Sequence, residues 1–111
     1  MLRFKLQDYL SENRHSPFND WLTGLRDFQA RARVRTRLDR ARLGNLGDYA
    51  SIGDGVFELR IFYGPGYRVY FSLVGENVML LLFGGTKGTQ KRDIQIAKTH
   101  MADYRKRESG N

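Results

Sequence analysis

Glu58 and Arg60 alternate along the segment VFELRIF, Arg68 and Tyr70 alternate along YRVYFSL, and Lys87 stands in the glycine-rich string GGTKGTQ. One carboxylate, two guanidiniums and one ammonium are the groups that bind and work on an anion. A planar guanidinium fork matches pairs of phosphate or carboxylate oxygens. Two arginines held close together repel unless an acid or an anionic ligand lies between them, and Glu58 offsets only part of that repulsion. Glycines around Lys87 let the backbone approach a ligand closely. The competing reading is a cross-strand ladder of salt bridges on an open sheet face, which stabilises little. Pattern alone does not choose between ladder and site.

These residues meet only if the strands that carry them pair in the right register. Phe57, Leu59 and Ile61 alternate with Glu58 and Arg60; Val69, Phe71 and Leu73 alternate with Arg68, Tyr70 and Ser72. Gly64-Pro65-Gly66 between the two runs is a strong turn signal. Residues opposite one another in an antiparallel pair share a face, and a slip of one residue would set a charged side chain against an apolar one. A three-residue loop therefore places Arg60 opposite Arg68 or Tyr70, with Glu58 nearby and the apolar alternates on the far face.

The rest of the chain reads as a frame for this hairpin. Period-two alternation over residues 1 to 6 (Leu2, Phe4, Leu6) predicts a short first strand. Pro17, capped by Ser16, starts a helix through Phe18, Trp21, Leu22 and Leu25. A second helix spans about Phe28 to Leu43, with Ala30, Val34, Leu38 and Ala41 as its apolar stripe and Gly44 as its stop. Val78 to Phe83 is apolar on both faces, as in a central strand, and Gly84 and Gly85 end it. A charged helix follows from about Gln90 to Arg107, fraying near Arg105. The expected architecture is α+β: one domain over residues 1 to 111, with two N-terminal helices on one face of an antiparallel-rich sheet of about four strands, plus a C-terminal helix. From about residue 105 a disordered tail is expected.

Composition narrows the partners. Nineteen Lys and Arg oppose twelve Asp and Glu, a net charge of +7, and a field of that sign favours nucleic acid or an acidic protein. With no cysteine and only two histidines, His15 and His100, neither a thiolate nor a histidine metal site is expected, nor is any other cofactor. No apolar run approaches the roughly 20 residues of a membrane-spanning helix, and no signal segment is evident at the N-terminus, so a cytoplasmic protein without a membrane partner is expected.

The segments GDYASIGDGVFELRIFYGPGYRVYF and LLLFGGTKGTQKRDIQIA, with FNDWLTGLRDFQARARVRTRL upstream, resemble the RelE/ParE toxin superfamily. More narrowly they resemble its addiction-module killer proteins, related to HigB toxins and phage proteins. The likeness runs from about Phe18 to Ala97. It implies a RelE-like fold and the toxin role in a type II toxin–antitoxin pair, with growth inhibited by metal-independent, ribosome-dependent cleavage of messenger RNA. Its implied partners are messenger RNA, the ribosome and a helix-turn-helix antitoxin through which alone it reaches operator DNA. Arg68 matches a position that holds the scissile phosphate in RNA-cleaving relatives, and Lys87 a basic residue after their last core strand. Where several relatives carry a catalytic Tyr or His near the C-terminus, this chain has Gln90 and Asp93.

On that footing Glu58 is the candidate base, Arg60 and Arg68 are clamps on the phosphate, and Lys87 is acid or electrostatic support. Arg31, Arg35, Arg37 and Arg42 on the second helix, with Tyr70, Gln90, Lys91 and Arg92, are the candidate RNA- or ribosome-contacting residues. The helix arginines suit an acidic antitoxin segment as well. Tyr70 either stacks on a base or packs. Two other readings stay open: a ParE-like inhibitor of DNA gyrase acting by protein contact, and a non-catalytic RNA-binding module.

Overall fold

The computed structural model describes residues 3–110. Its elements run β1 (Lys5–Asp8), α1 (Pro17–Thr23), α2 (Phe28–Arg42), β2 (Tyr49–Gly53), β3 (Val56–Ile61), β4 (Tyr67–Val74), β5 (Val78–Thr86), a short 3-10 turn (Lys87–Thr89) and α3 (Gln90–Glu108). The helix starts follow their caps. Ser16 accepts the N–H of Asn19 at 3.0 Å, and Asp27 accepts those of Gln29 and Ala30 at 2.9 and 3.2 Å, satisfying amides that have no partner within the helix.

Five strands, not four, form one sheet in the order β1-β5-β4-β3-β2. It is mixed: β1 runs parallel to β5, and the other pairs are antiparallel. The first strand lies later than alternation over residues 1 to 6 suggests, and Leu2 is outside the described residues. β2 was not anticipated; its residues have burial on alternate positions only and lie at the sheet edge.

The β3–β4 register agrees with the parity expected. Arg60 lies opposite Arg68 and Glu58 opposite Tyr70. The loop is longer than the three residues of the turn signal, spanning residues 62–66 between Ile61 and Tyr67, but lengthening by two preserves which face each residue takes.

The charged face of the hairpin is where the expectation fails. Helices cover both faces of the sheet. On one side Phe18, Leu22, Val34 and Leu38 pack with Leu59, Val69 and Phe71. On the other, Ala97 and Met101 of α3 pack with Val56, Tyr70, Leu80 and Leu82. Tyr70 and Val56 share a face with Glu58, Arg60 and Arg68, so the face read as wet is half core. α3 also continues past Arg105, where fraying was expected, to Glu108. There the Arg105 side chain donates to the Asp54 carbonyl at 2.9 Å and Arg107 to that of Leu10 at 2.5 Å. No helix among the described residues is long and apolar enough to cross a membrane.

Gly84 and Gly85 do not end β5; they lie inside it. Each is glycine because something stands where its Cβ would be. A Cβ on Gly84 would run into the Trp21 indole, and one on Gly85 into the Asp93 carboxylate. The two residues face opposite sides of the strand, so α1 and α3 close on the same short piece of β5 from either side. Gly84→Ala and Gly85→Ala should therefore each lower stability by about 1–3 kcal/mol through overpacking, read by urea unfolding. In double-mutant cycles the Gly84→Ala loss should be smaller when measured in a Trp21→Ala background, and the Gly85→Ala loss should be the same in either background.

Candidate functional site

The structure brings Glu58, Arg60 and Arg68 together around one carboxylate. Glu58 lies in the middle of β3 with only 1% of its side chain exposed. Its Oε2 accepts the Nε–H of Arg60 at 3.2 Å, and its Oε1 accepts the side-chain amide of Gln90 at 2.5 Å. Arg68 Nε stands 4.0 Å from Oε1, close enough for attraction and too far for a hydrogen bond. That N–H has no acceptor among the described residues. Arg68 is nearly buried and Arg60 one-third exposed. Arg60 also reaches Asp48 Oδ1 at 3.5 Å, a loop residue that sequence patterning did not single out.

Burial changes what Glu58 can do. A general base must come within hydrogen-bond reach of the proton it takes, and this carboxylate is closed off from solvent with both oxygens engaged. Its position suits an anchor: it orients Arg60 from the same strand, attracts Arg68 from the next, and holds α3 through Gln90. Gln90 is thus internal to the site, bonded to the anchor, instead of one more contact on its outside.

Tyr70 packs and does not stack on a ligand. Its ring is wholly buried and its hydroxyl has no partner among the described residues. Burial first, then the nearby charges of Glu58 and Asp93, push the phenol well above its ordinary pKa, so it stays neutral. Asp93, wholly buried, sits against Gly85, and Gly85 is the residue opposite Arg68 across the β4–β5 pair. Its carboxylate accepts from Thr89 and from Arg92 at 3.2 Å. Lys87 is exposed. Its backbone N–H donates to the Gly66 carbonyl at 2.7 Å, which fixes it at the same end of the hairpin as Arg68. The glycines before it admit Trp21 and Asp93, not a ligand.

The α2 arginines divide. Arg35 and Arg42 are exposed. Arg31 lies over the Phe28 ring at 4.5 Å and donates to the Thr23 carbonyl at 3.3 Å. Arg37 is engaged inside the protein: it donates to the carbonyls of Arg60 at 3.2 Å, Leu46 at 2.5 Å and Asp48 at 3.0 Å. It thereby ties α2 to β3 and to the loop before β2, and its assignment as a free RNA contact is corrected. Lys91 is exposed, and Arg92 is 69% exposed although paired with Asp93.

His100 is outside this cluster. It stacks on Tyr9 with ring centroids 4.8 Å apart and meets Phe83 edge-on at 5.8 Å. Tyr9 in turn donates to Asp103 at 2.6 Å. Burial lowers the pKa of His100, against the opposing pull of Asp103.

No family model matches the chain. A protein of Haemophilus influenzae that carries the name "Uncharacterized protein" is 46% identical to it over 81 residues, which is 73% of this chain and 82% of the relative.

The neutral imidazole of His100 has a consequence for stability. Its folded pKa lies below the unfolded value, so its contribution is present above about pH 6.5 and is lost as pH falls toward the folded value. Unfolding free energy should decline as pH falls through about 6.5, and His100→Gln should flatten that decline, as read by chemical denaturation at a series of pH values.

Proposed function

The chain belongs to one family with that Haemophilus influenzae protein, and we propose that it is a RelE-like ribonuclease, the growth-inhibiting toxin of a toxin–antitoxin pair. The observation that carries this reading is the shared carboxylate. Arg60 and Arg68 are directly opposite across β3 and β4, with one buried glutamate between them and a loose contact to the second arginine. Counting Lys87, three cations stand at this end of the hairpin, and Glu58 and Asp48 offset two. Arg68 in particular keeps a buried Nε–H without an acceptor, on a side chain that is 11% exposed. A phosphodiester that meets the exposed edge of that guanidinium supplies an opposing charge.

In the proposed reaction the 2′-hydroxyl of RNA attacks the adjacent phosphorus. The bond to the 5′-oxygen of the next nucleotide breaks, leaving a cyclic phosphate. Arg68 and Arg60 offset the charge that builds on the phosphate oxygens, the effect that removes most of such a barrier. Lys87, exposed on its turn, donates the proton that the departing 5′-oxygen needs. Glu58 positions the arginines, and deprotonation of the 2′-hydroxyl falls to water. Messenger RNA in the ribosome is the substrate, and a helix-turn-helix antitoxin is the partner that silences the toxin and bridges it to operator DNA. Cysteine-free composition and the reaction fit the cytoplasm.

Arg68→Ala and Arg68→Lys should each cut cleavage by about 10²-fold or more, with melting curves that still show a folded protein. Primer extension on cellular messenger RNA after induction reads the cuts. A folded, fully active Arg68→Ala protein rejects the site. Glu58→Gln discriminates anchor from base. As anchor it should keep activity within about tenfold, with an unchanged acid limb in the pH profile; as base it should lose about 10²–10⁴-fold together with that limb.

A further inference from the structure

A groove of about 480 Å³ opens beside the phosphate site, between α2 and the start of the loop after β3. Arg33, Arg37 and Arg40 line it from the helix, Asp48 and Arg60 from the other side, and Phe62 contributes a ring that is 79% exposed. Four guanidiniums face one carboxylate, and that carboxylate is already paired with Arg60. Arg33 and Arg40 have no carboxylate partner among the described residues. Arg37 is held by three carbonyls and shares the charge of Asp48 with Arg60. Arg33 lies over the Tyr63 ring at 4.5 Å, so its head is held in place, with Asp27 near enough to act on its charge but not in contact with it.

We propose that this groove carries the single strand of RNA that flanks the phosphate bound at Arg68. The inference rests on the function proposed above and deepens it by giving the strand a path. Arg60 lines the groove and also bonds Glu58, so this one arginine belongs to both site and groove. Arg33 and Arg40 are two helical turns apart, about 10 Å along the axis, too far to share one small anion and suited to successive charges of a polyanion. An exposed ring beside tracked phosphates is the arrangement that holds single strands, because every base has a flat face to stack. Arg33 and Arg40 take backbone phosphates, and Phe62 stacks a base.

The test uses the full chain and a fluorescein-labelled, fully 2′-O-methylated RNA oligonucleotide of mixed sequence, which lacks the nucleophile and is not cut. Anisotropy titrations between about 50 and 200 mM salt give affinity and its salt slope. The double variant Arg33→Gln/Arg40→Gln should bind more weakly, with the slope of log K against log salt reduced in magnitude by about 1.4, about 0.7 for each phosphate contact. Phe62→Ala should weaken binding about fivefold or more with the slope unchanged. All three side chains are exposed, so melting curves should match the parent. Unchanged affinity and slope in these variants, or no measurable binding by the parent chain at the lowest salt, overturns the groove. So does loss of binding to poly-glutamate in the double variant with RNA binding intact, which assigns the groove to an acidic protein. Cleavage of unmodified messenger RNA by Arg68→Ala is followed in parallel. Retained cleavage there refutes the reaction site, whereas an Arg68-dependent enzyme with indifferent groove variants refutes only the strand path.

Discussion

A carboxylate removed from water sets the terms for the rest of this molecule. Burying a charge is costly unless it is paired and hydrogen-bonded, and Glu58 meets that demand with Arg60 from its own strand and Gln90 from α3. Breaking such an arrangement by deleting one partner typically costs about 3–5 kcal/mol, so the carboxylate fastens three elements at once: β3, β4 through the attraction of Arg68, and the first turn of α3. Its geometry also leaves Arg68 incompletely satisfied. The same interaction that closes the structure leaves a nearly buried guanidinium with one N–H unpaired.

α3 has two tasks along its length. Its first turn supplies Gln90 and, one turn on, the buried Asp93 that sits where Gly85 has no side chain. Its middle covers Tyr70, Leu80 and Leu82 with Ala97 and Met101. Its last turns hold the β2–β3 turn through Arg105 and the chain after β1 through Arg107. Displacement of this helix would therefore uncover core and loosen Arg68 together. On the other side of the sheet, Arg37 ties α2 to the backbone of Arg60 and Asp48. Both faces of the sheet thus converge on Arg60, whose side chain is held by Glu58 and whose carbonyl is held by Arg37.

This convergence gives the excess positive charge a direction. A net charge of +7 spread evenly would attract any polyanion weakly, but here Arg33, Arg37, Arg40 and Arg60 line one groove, and Arg60 also bonds the buried Glu58. Arg31, Arg35 and Arg42, on other faces of the same helix, do not line it. The reading as an RNA-cleaving toxin with a defined strand path is coherent with that focusing, since fixed charges in a groove act more strongly than scattered ones.

What the amino-acid sequence by itself determined is local and periodic. Strict alternation in β3 and β4 decides which side chains share a face, and a turn of fixed parity then sets Arg60 across from Arg68 and Glu58 close by. Ser16 and Pro17 mark a helix start because they satisfy or remove amides that a helix leaves unpaired. What only the tertiary structure decided is what stands opposite each face. Nothing near Glu58 in the chain shows that Gln90, thirty-two residues away, will seal it, so a residue whose type suits a base becomes an anchor. Gly84 and Gly85 read as a strand end because glycine ends strands, yet they are required by Trp21 and Asp93, which arrive from distant helices. Six arginines on α2 are equivalent to a composition rule; the rotation at which the helix docks separates Arg37, held by three carbonyls, from the two that face the groove beside it and those that point elsewhere. Docking is set by long-range packing of the apolar stripe, and that is a property of the assembled core, with no counterpart in any local run of residues.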